Sequence, residues 1–188
     1  MRPALRLAPP RPFPADWVKR SLLTGSGDDR FRQAARSGLD SLTLAERRGH
    51  LPAVTGAVAE SVAAMVMDEI GFEVFAQLTE RGARGADLLL LSPAENVLVL
   101  EVKGTLRAGQ LPRLGRSRLR QMSAAWLDVG NAPMLDWGLE AADVFGGVMV
   151  VDLVSNTARV AVSADYEVFT PVADMACLDN LLSSLTGQ

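Results

Sequence analysis

A largely apolar stretch in the middle of the chain carries three charged residues that could act together. The stretch runs from Gly85 to Gly104, GADLLLLSPAENVLVLEVKG, and carries Asp87, Glu101 and Lys103. Two carboxylates that share a partly buried site repel each other, and a divalent cation with oxygen ligands compensates that repulsion. A lysine beside such a metal polarises an attacking water or stabilises charge that develops on a phosphate. These residue types therefore indicate phosphodiester hydrolysis, provided that the fold brings them together.

A β-hairpin is the element that would bring them together. Two apolar runs, Leu88–Leu91 and Val97–Val102, are separated by residues that favour turns, including Ser, Pro and Asn. An antiparallel hairpin places the start of its first strand beside the end of its second, so Asp87 is expected next to Glu101 and Lys103. Side chains alternate between the faces of a strand, and Glu101 and Lys103 therefore share one face.

A Glu-x-Lys sequence on a strand has a simpler interpretation, which is an ion pair where the sheet meets solvent. Short isolated motifs are weak evidence, and for this one alone the ion pair is the better interpretation. The order of the surrounding predicted elements favours a site instead. That order is helix, three strands, helix, two strands and a closing helix: Thr55–Ile70, Phe72–Leu78, Leu88–Leu91, Val97–Val102, a helix that ends near Val129, Val144–Val154, an edge strand Ala158–Val162, and Ala173–Leu185.

This order resembles the PD-(D/E)XK superfamily of restriction-endonuclease-like nucleases over about residues 55–162. The matching residues are Glu60, Asp87, Glu101-Val102-Lys103 and Gln121. The resemblance implies an α/β fold with a restriction-endonuclease-like core in αβββαβ order, a mixed β-sheet flanked by helices, and a small helical N-terminal extension. One departure is Ala86, which stands where the family name has a proline, the least kept letter of that name.

The resemblance also implies a metal site. Asp87, Glu101 and the carbonyl of Val102 would bind Mg²⁺, for which Mn²⁺ is expected to substitute, and Lys103 would support the attacking water.

Two further catalytic candidates come from the same resemblance. Glu60, on the helix before the sheet, would complete the site, and Gln121 would orient water or the scissile phosphate. By helical pattern alone a solvated helix face is the better interpretation of Glu60, and the resemblance makes the two interpretations equal. A surface amide is equally consistent with Gln121.

A stretch rich in arginine follows the strand that carries Glu101 and Lys103. Residues 107–120 contain five arginines and no acid. Arginine meets phosphate through forked hydrogen bonds, so this position favours contacts with a nucleic-acid backbone over the alternative of a solvated amphipathic helix. The predicted substrate-binding residues are Arg84, Arg113, Arg116, Arg118 and Arg120. Leu119, Met122 and Trp126 have the spacing of a buried helical stripe.

Length and composition limit the number of domains in the chain. With 188 residues and 48% hydrophobic content the chain fits one well-buried core with an appendage. Residues 1–50 are predicted to form a Pro/Arg-rich, partly helical extension, and residues 51–188 the nuclease-like domain. A single cysteine, Cys177, excludes an internal disulfide. No run approaches the length of a membrane span, so the prediction is a cytoplasmic protein without a membrane partner.

The charge distribution is uneven. Residues 1–50 hold ten Lys or Arg against five acids, whereas residues 121–188 hold one against nine. The acidic C-terminal region suits a protein partner or a homodimer contact. The leading hypothesis is a Mg²⁺-dependent endonuclease, with DNA favoured over RNA as substrate. The alternative is a catalytically inactive module of the same fold that binds nucleic acid or a protein. Sequence specificity, the mode of cleavage and the oligomeric state stay open.

Overall fold

The computed structural model describes residues 7–24, 44–77, 86–109, 121–130 and 138–185, without the side chains of residues 22–24, 44–53, 77 and 128–130. The helices are α1 (Ala15–Thr24), α2 (Leu44–Glu69), α3 (Ala124–Gly130) and α4 (Leu178–Leu185). The strands are β1 (Arg11–Pro12), β2 (Glu73–Gln77), β3 (Leu88–Leu91), β4 (Val97–Thr105), β5 (Phe145–Asp152), β6 (Thr157–Ser163) and β7 (Thr170–Pro171). Short 3₁₀ turns, Ala141–Asp143 and Met175–Cys177, precede β5 and α4.

The strands form one mixed sheet of seven strands in the order β1-β6-β5-β4-β3-β2, with β7 also paired to β6. Only β4 and β5 pair in parallel among the described strands, and the other pairs are antiparallel. A mixed α/β fold with a sheet flanked by helices is therefore confirmed. From α2 to β6 the elements follow the predicted order of helix, three strands, helix and two strands.

The prediction that residues 158–162 form an edge strand is wrong. Strand β6 lies inside the sheet, bonded to β5 on one side and to β1 and β7 on the other. Alternation of apolar and polar residues reports the environments of a strand's two faces, and it carries no information about lateral neighbours.

The predicted hairpin is present with the predicted bounds of its first strand and turn. Strands β3 and β4 pair antiparallel from Leu88 opposite Leu100 to Leu91 opposite Val97. The second strand continues past the predicted end to Thr105, because its last residues pair with β5.

The two faces of the sheet pack against different helices. Helices α2 and α4 cover one face, which we call the α2 face, where the buried side chains of β3 to β6 meet those of both helices. On the opposite α3 face, Leu89 and Val99 pack in one cluster with Leu127 of α3. Along β4, Leu98, Leu100 and Val102 belong to the α2 face, so the intervening residues point to the α3 face.

Helix α2 is longer than the sequence predicts. It begins at Leu44 rather than Thr55 and spans residues 50 and 51, the predicted boundary of the N-terminal extension. Gly49 and Pro52 weaken a helix pattern, which is why the sequence predicts a short helix over Leu42–Arg48 and a separate one from Thr55 instead of one continuous helix. Upstream, α1 contacts α2, and Arg11 pairs with Glu69 at the end of α2 at 2.8 Å.

A glycine sets the distance between α2 and the strand that carries Glu101 and Lys103. A Cβ added at Gly104 would lie 2.7 Å from the carbonyl oxygen of Thr55 and 2.8 Å from the Cβ of Ala59. We therefore expect Gly104→Ala to force α2 and β4 apart and to lower the free energy of unfolding by about 1 to 3 kcal/mol, as overpacking does. Urea denaturation measures the change.

The matched control for this substitution is a glycine of α2, next to Thr55 in the sequence. A Cβ at Gly56 would meet nothing closer than the Oε1 of Glu60 at 3.7 Å. Gly56→Ala should be neutral or stabilise by up to about 1 kcal/mol through helix propensity. Equal effects of the two alanines would contradict the close approach at Gly104.

Candidate active site

The pairing of β3 with β4 positions two carboxylates. Extending the register by one residue sets Asp87 opposite Glu101. The backbone N–H of Asp87 donates to the carbonyl of Leu100 at 3.0 Å. The N–H of Val102 donates to Oδ2 of Asp87 at 2.6 Å. Asp87 is thus fixed against the strand that carries Glu101, as the hairpin predicted.

The carboxylate of Glu101 is the buried centre of this arrangement. The residue is 2% exposed and lies on the α3 face near the end of β4. Its Oε1 accepts hydrogen bonds from Nζ of Lys103 and from Nε2 of Gln121. Its Oε2 is buried and has no hydrogen-bond partner among the described residues. A buried carboxylate oxygen without a partner is costly, and such an atom points to a ligand at this position.

Lys103 is the cation of the site. It lies two residues after Glu101 on the same face of β4, and 22% of its side chain is exposed. Lys103 therefore binds one oxygen of Glu101 and also reaches solvent. It can donate hydrogen bonds both to the buried carboxylate and to an incoming anion.

Glu60 joins the site from α2. Burial, reinforced by the negative charge of Asp87 and offset in part by Lys103, raises the pKa of Glu60 to about 7. Charges act on one another at this strength only when they lie close together. Glu60 therefore belongs to the same electrostatic cluster as Asp87 and Lys103. The sequence alone did not decide between this position and a solvated helix face.

The two hairpin carboxyls carry similar shifts. Burial raises the pKa of Glu101 to about 7, and the charge of Asp87 adds to this effect while Lys103 opposes it. Burial also raises the pKa of Asp87, although the hydrogen bond from Val102 and the charge of Lys103 act in the opposite direction. The cluster holds more negative charge than one lysine balances, and a bound cation would relieve the excess.

A strained turn places Gln121. Met122, the next residue, is fully buried and has a positive φ of 61°. A methionine in this conformation is strained, and surrounding packing must hold it there. The Cε of Met122 lies 3.3 Å from the position of a Cβ at Gly146, in the middle of the sheet. Met122 thus anchors the turn from which the amide of Gln121 reaches Glu101.

The prediction that Met122 belongs to a helical stripe is wrong, since α3 begins only at Ala124. Periodicity detected a buried side chain but assigned it to a helix, because a residue with positive φ has no signature in apolar spacing. Trp126 does pack on α3 against the α3-face cluster.

The five predicted substrate-binding arginines lie outside the described residues. These are Arg84, Arg113, Arg116, Arg118 and Arg120. Leu119 of the predicted stripe lies there too. Arg107, at the start of the same stretch, is described and exposed in the loop after β4.

The donor atoms of the site suit a hard divalent cation. No group of three His, Cys, Asp or Glu side chains within the described ranges is arranged to hold a metal ion by itself. Asp87, Glu101 with its unpartnered Oε2 and the Val102 carbonyl would supply oxygen ligands, and Mg²⁺ keeps several waters when proteins bind it through one or two carboxylates. The residues present fit such a cation, with its other positions left to water and substrate.

In the described part of the chain, no helix is both long and apolar enough to cross a membrane. No protein-family model, curated protein or solved structure matches the chain.

The raised pKa of Glu60 predicts a pH-dependent gain in stability for Glu60→Gln. The unfolded chain ionises this carboxyl near its ordinary value of 4.5, whereas the folded protein ionises it only near 7. The wild type therefore loses stability as the pH rises from about 4.5 to 7, and the variant does not. At pH 8, without divalent cations, the variant should be more stable by about 1 to 2 kcal/mol, from ~1.4 kcal/mol per pKa unit reduced for partial exposure.

Chemical denaturation of both proteins at pH 5 and pH 8 measures this difference. Glu73→Gln, at an exposed position on β2, is the control and should change the unfolding free energy by less than about 0.5 kcal/mol. A stability difference that is the same at both pH values would contradict a buried, electrostatically coupled Glu60.

Proposed function

We propose that the protein is a metal-dependent nuclease that hydrolyses phosphodiester bonds. The observation that carries the proposal is the buried Oε2 of Glu101, which has no partner in the described structure although Oε1 of the same carboxylate has two. Asp87 and Lys103 lie beside it, and Glu60 shares its electrostatic environment. This arrangement of a carboxylate, a lysine and an amide suits phosphodiester hydrolysis. A solvated ion pair would not require a buried carboxylate with an unpartnered oxygen.

Each side chain has a distinct task in this proposal. Asp87 and Glu101, with the Val102 carbonyl, hold Mg²⁺ or Mn²⁺. When bound, the metal polarises a phosphate oxygen and lowers the pKa of water. Lys103 positions the attacking water and stabilises charge on the phosphate through its ammonium group.

Glu60 and Gln121 act beside this group. Glu60, whose pKa lies near 7, is suited to accept a proton from water at neutral pH. Gln121 donates to Glu101, so it holds the carboxylate in one rotamer and leaves Oε2 directed away from the amide.

The proposal includes a restriction-endonuclease-like core formed by α2, β2, β3, β4, α3 and β5. Its support is the element order together with the position of the charged residues at the carboxyl end of β4, beside the start of β3. DNA is the proposed substrate ahead of RNA because that family mostly cuts DNA. A cytoplasmic location and a protein or homodimer contact through the acidic C-terminal region stay predictions.

A cleavage assay tests the proposal. Wild type and Asp87→Asn are incubated with plasmid, single-stranded DNA and tRNA, each with Mg²⁺, with Mn²⁺ and with EDTA. We expect the wild type to cut DNA with either metal, EDTA to stop it, and Asp87→Asn to be inactive while its circular dichroism spectrum matches the wild type.

Failure of the wild type to cleave any substrate would overturn the nuclease proposal and favour the inactive binding module. Equal cleavage by wild type and Asp87→Asn would mean that the activity arises elsewhere. Cleavage of tRNA alone would retain the mechanism and change the substrate class.

A further inference from the structure

A second basic side chain lies on the same face of the sheet as the candidate site. In the parallel pair β4–β5, Lys103 is opposite Val150, and in the antiparallel pair β5–β6, Val150 is opposite Arg159. The neighbours of Arg159 along β6, Ala158 and Val160, are buried on the α2 face. Arg159 therefore points to the α3 face, in one cross-strand row with Lys103.

The spacing in this row follows from the geometry of the sheet. Neighbouring strands lie about 4.8 Å apart, so the backbones of Lys103 and Arg159 are separated by roughly 10 Å. Both side chains start from the sheet itself, and their relative position is set by pairing rather than by loop conformation.

Arg159 has no anionic partner among the described residues, where the ion pairs are formed by Arg11, Arg20 and Lys103. The described carboxylate nearest to it in the sheet register is Asp152, which is opposite Thr157. The Asp152 oxygens instead accept from the backbone N–H groups of Gly109, Val154 and Ser155 at 2.9 to 3.0 Å. Arg159 is partly buried, and a guanidinium that no described carboxylate pairs with is available to an external anion.

Arg159 is a positive charge in an acidic part of the sequence. After Arg120 it is the one basic residue in the sequence, against nine acids. The opposite flank of the candidate site, toward β3 and α2, carries Asp87 and Glu60. The described side chains on the β3 side that approach the substrate are thus carboxylates, committed to the metal and the proton, whereas the β6 side offers a polyanion a free cation.

We propose that Arg159 binds a phosphate of the substrate next to the one that is cleaved, and that the nucleic-acid backbone crosses the sheet from β4 toward β6. This inference rests on the proposed function, and it names a binding residue and the direction in which the substrate lies. A planar guanidinium suits two hydrogen bonds to a phosphate, which Lys103 as a point charge does not provide.

Binding and cleavage of a duplex DNA oligonucleotide test this inference. Affinity is measured by fluorescence anisotropy with Ca²⁺ in place of Mg²⁺ over a series of salt concentrations, and KM and kcat are measured with Mg²⁺. Arg159→Gln should weaken binding about tenfold and reduce the salt slope by about 0.9, the value for one phosphate contact. KM should rise by a similar factor, with a smaller change in kcat.

Two further variants separate this role from a general effect of charge or folding. Arg20→Gln removes the same charge from α1, which packs on α2, and should leave binding unchanged. Arg159→Lys keeps the charge and should restore the salt slope while recovering affinity only in part. If Arg159→Lys, with a wild-type circular dichroism spectrum, loses as much affinity and salt slope as Arg159→Gln, the charge of Arg159 does not contact phosphate and the inference is wrong.

The inference and the proposed function fail in different ways. If the wild type cleaves DNA and Arg159→Gln has the wild-type affinity and salt slope, the inference is wrong and the nuclease proposal stands. If the wild type binds but cleaves no substrate, the nuclease proposal is wrong, and the effect of Arg159→Gln on binding still decides the inference. A wild type that binds no nucleic acid overturns both.

Discussion

Replacement of Lys103 by methionine is expected to reduce kcat for phosphodiester cleavage by about 10²- to 10³-fold, the loss typical when one preorganised donor to a developing anion is removed. The methionine retains most of the apolar stem of lysine, so packing at the end of β4 should be preserved. Metal affinity should fall much less than kcat, because Lys103 donates to Glu101 and is not itself a metal ligand. Single-turnover cleavage with saturating Mn²⁺ isolates the effect on the chemical step.

The chain contains its own control for this substitution. Lys19 is the only other lysine in the sequence and is exposed on α1. Lys19→Met makes the same chemical change, and its kcat should match the wild type. A reduction of less than about threefold for Lys103→Met would leave Lys103 as a structural ion-pair partner of Glu101 and remove it from the mechanism.

Glu101→Gln should remove most of the stabilisation that divalent cations give to the folded protein. A ligand at a hundred times its dissociation constant stabilises by about 2.7 kcal/mol, which for a chain of this size raises Tm by about 5 to 10 °C. The amide retains an oxygen that can accept from Lys103 and Gln121 but loses the charge that attracts a cation. We expect metal affinity to fall by at least 10- to 100-fold, roughly the loss seen when even the partner of a metal ligand is mutated.

Thermal unfolding with increasing Mn²⁺ measures this loss. Glu167→Gln, at an exposed position before β7, is the matched control and should show the wild-type increase in Tm. An increase in Tm by Mn²⁺ that is the same in Glu101→Gln as in wild type would place the cation elsewhere on the protein.

The hairpin and its two carboxylates could be predicted because the signals are local. Two apolar runs around a turn define β3 and β4, and alternation along β4 assigns Glu101 and Lys103 to one face. The antiparallel register then determines that Asp87 lies opposite Glu101. Each of these steps depends on residues within one hairpin. Two strands joined by a short turn can pair in few ways, so the sequence determines their register.

Three other features depend on packing between distant segments. Whether Glu60 reaches the site depends on how closely α2 approaches β4, which Gly104 permits by lacking a Cβ. The direction of Gln121 depends on the positive φ of Met122, which buried contacts maintain. The position of Arg159 in the same cross-strand row as Lys103 depends on the pairing of β5 with both β4 and β6. Apolar periodicity describes none of these, although an arginine in an apolar strand could have prompted the question.

The candidate site also lowers the stability of the folded protein. Glu60, Asp87 and Glu101 are charged groups removed from water, and burial is the largest cause of each raised pKa. Sites selected for stability alone do not retain such groups, whereas functional sites commonly do. This unfavourable local electrostatics, combined with the unpartnered Oε2 of Glu101, favours the proposed functional site over a structural ion pair.

An anomalous difference map from crystals of the wild type soaked in Mn²⁺ tests directly whether the hairpin carboxylates bind a divalent cation. We expect a peak about 2 Å from Oε2 of Glu101 and within ligand distance of the Asp87 carboxylate, as small hard cations with oxygen ligands require. The absence of a peak beside Glu101 after a soak in millimolar Mn²⁺ would contradict a metal-dependent nuclease built on this hairpin. A peak bound only by exposed carboxylates elsewhere would contradict it as well.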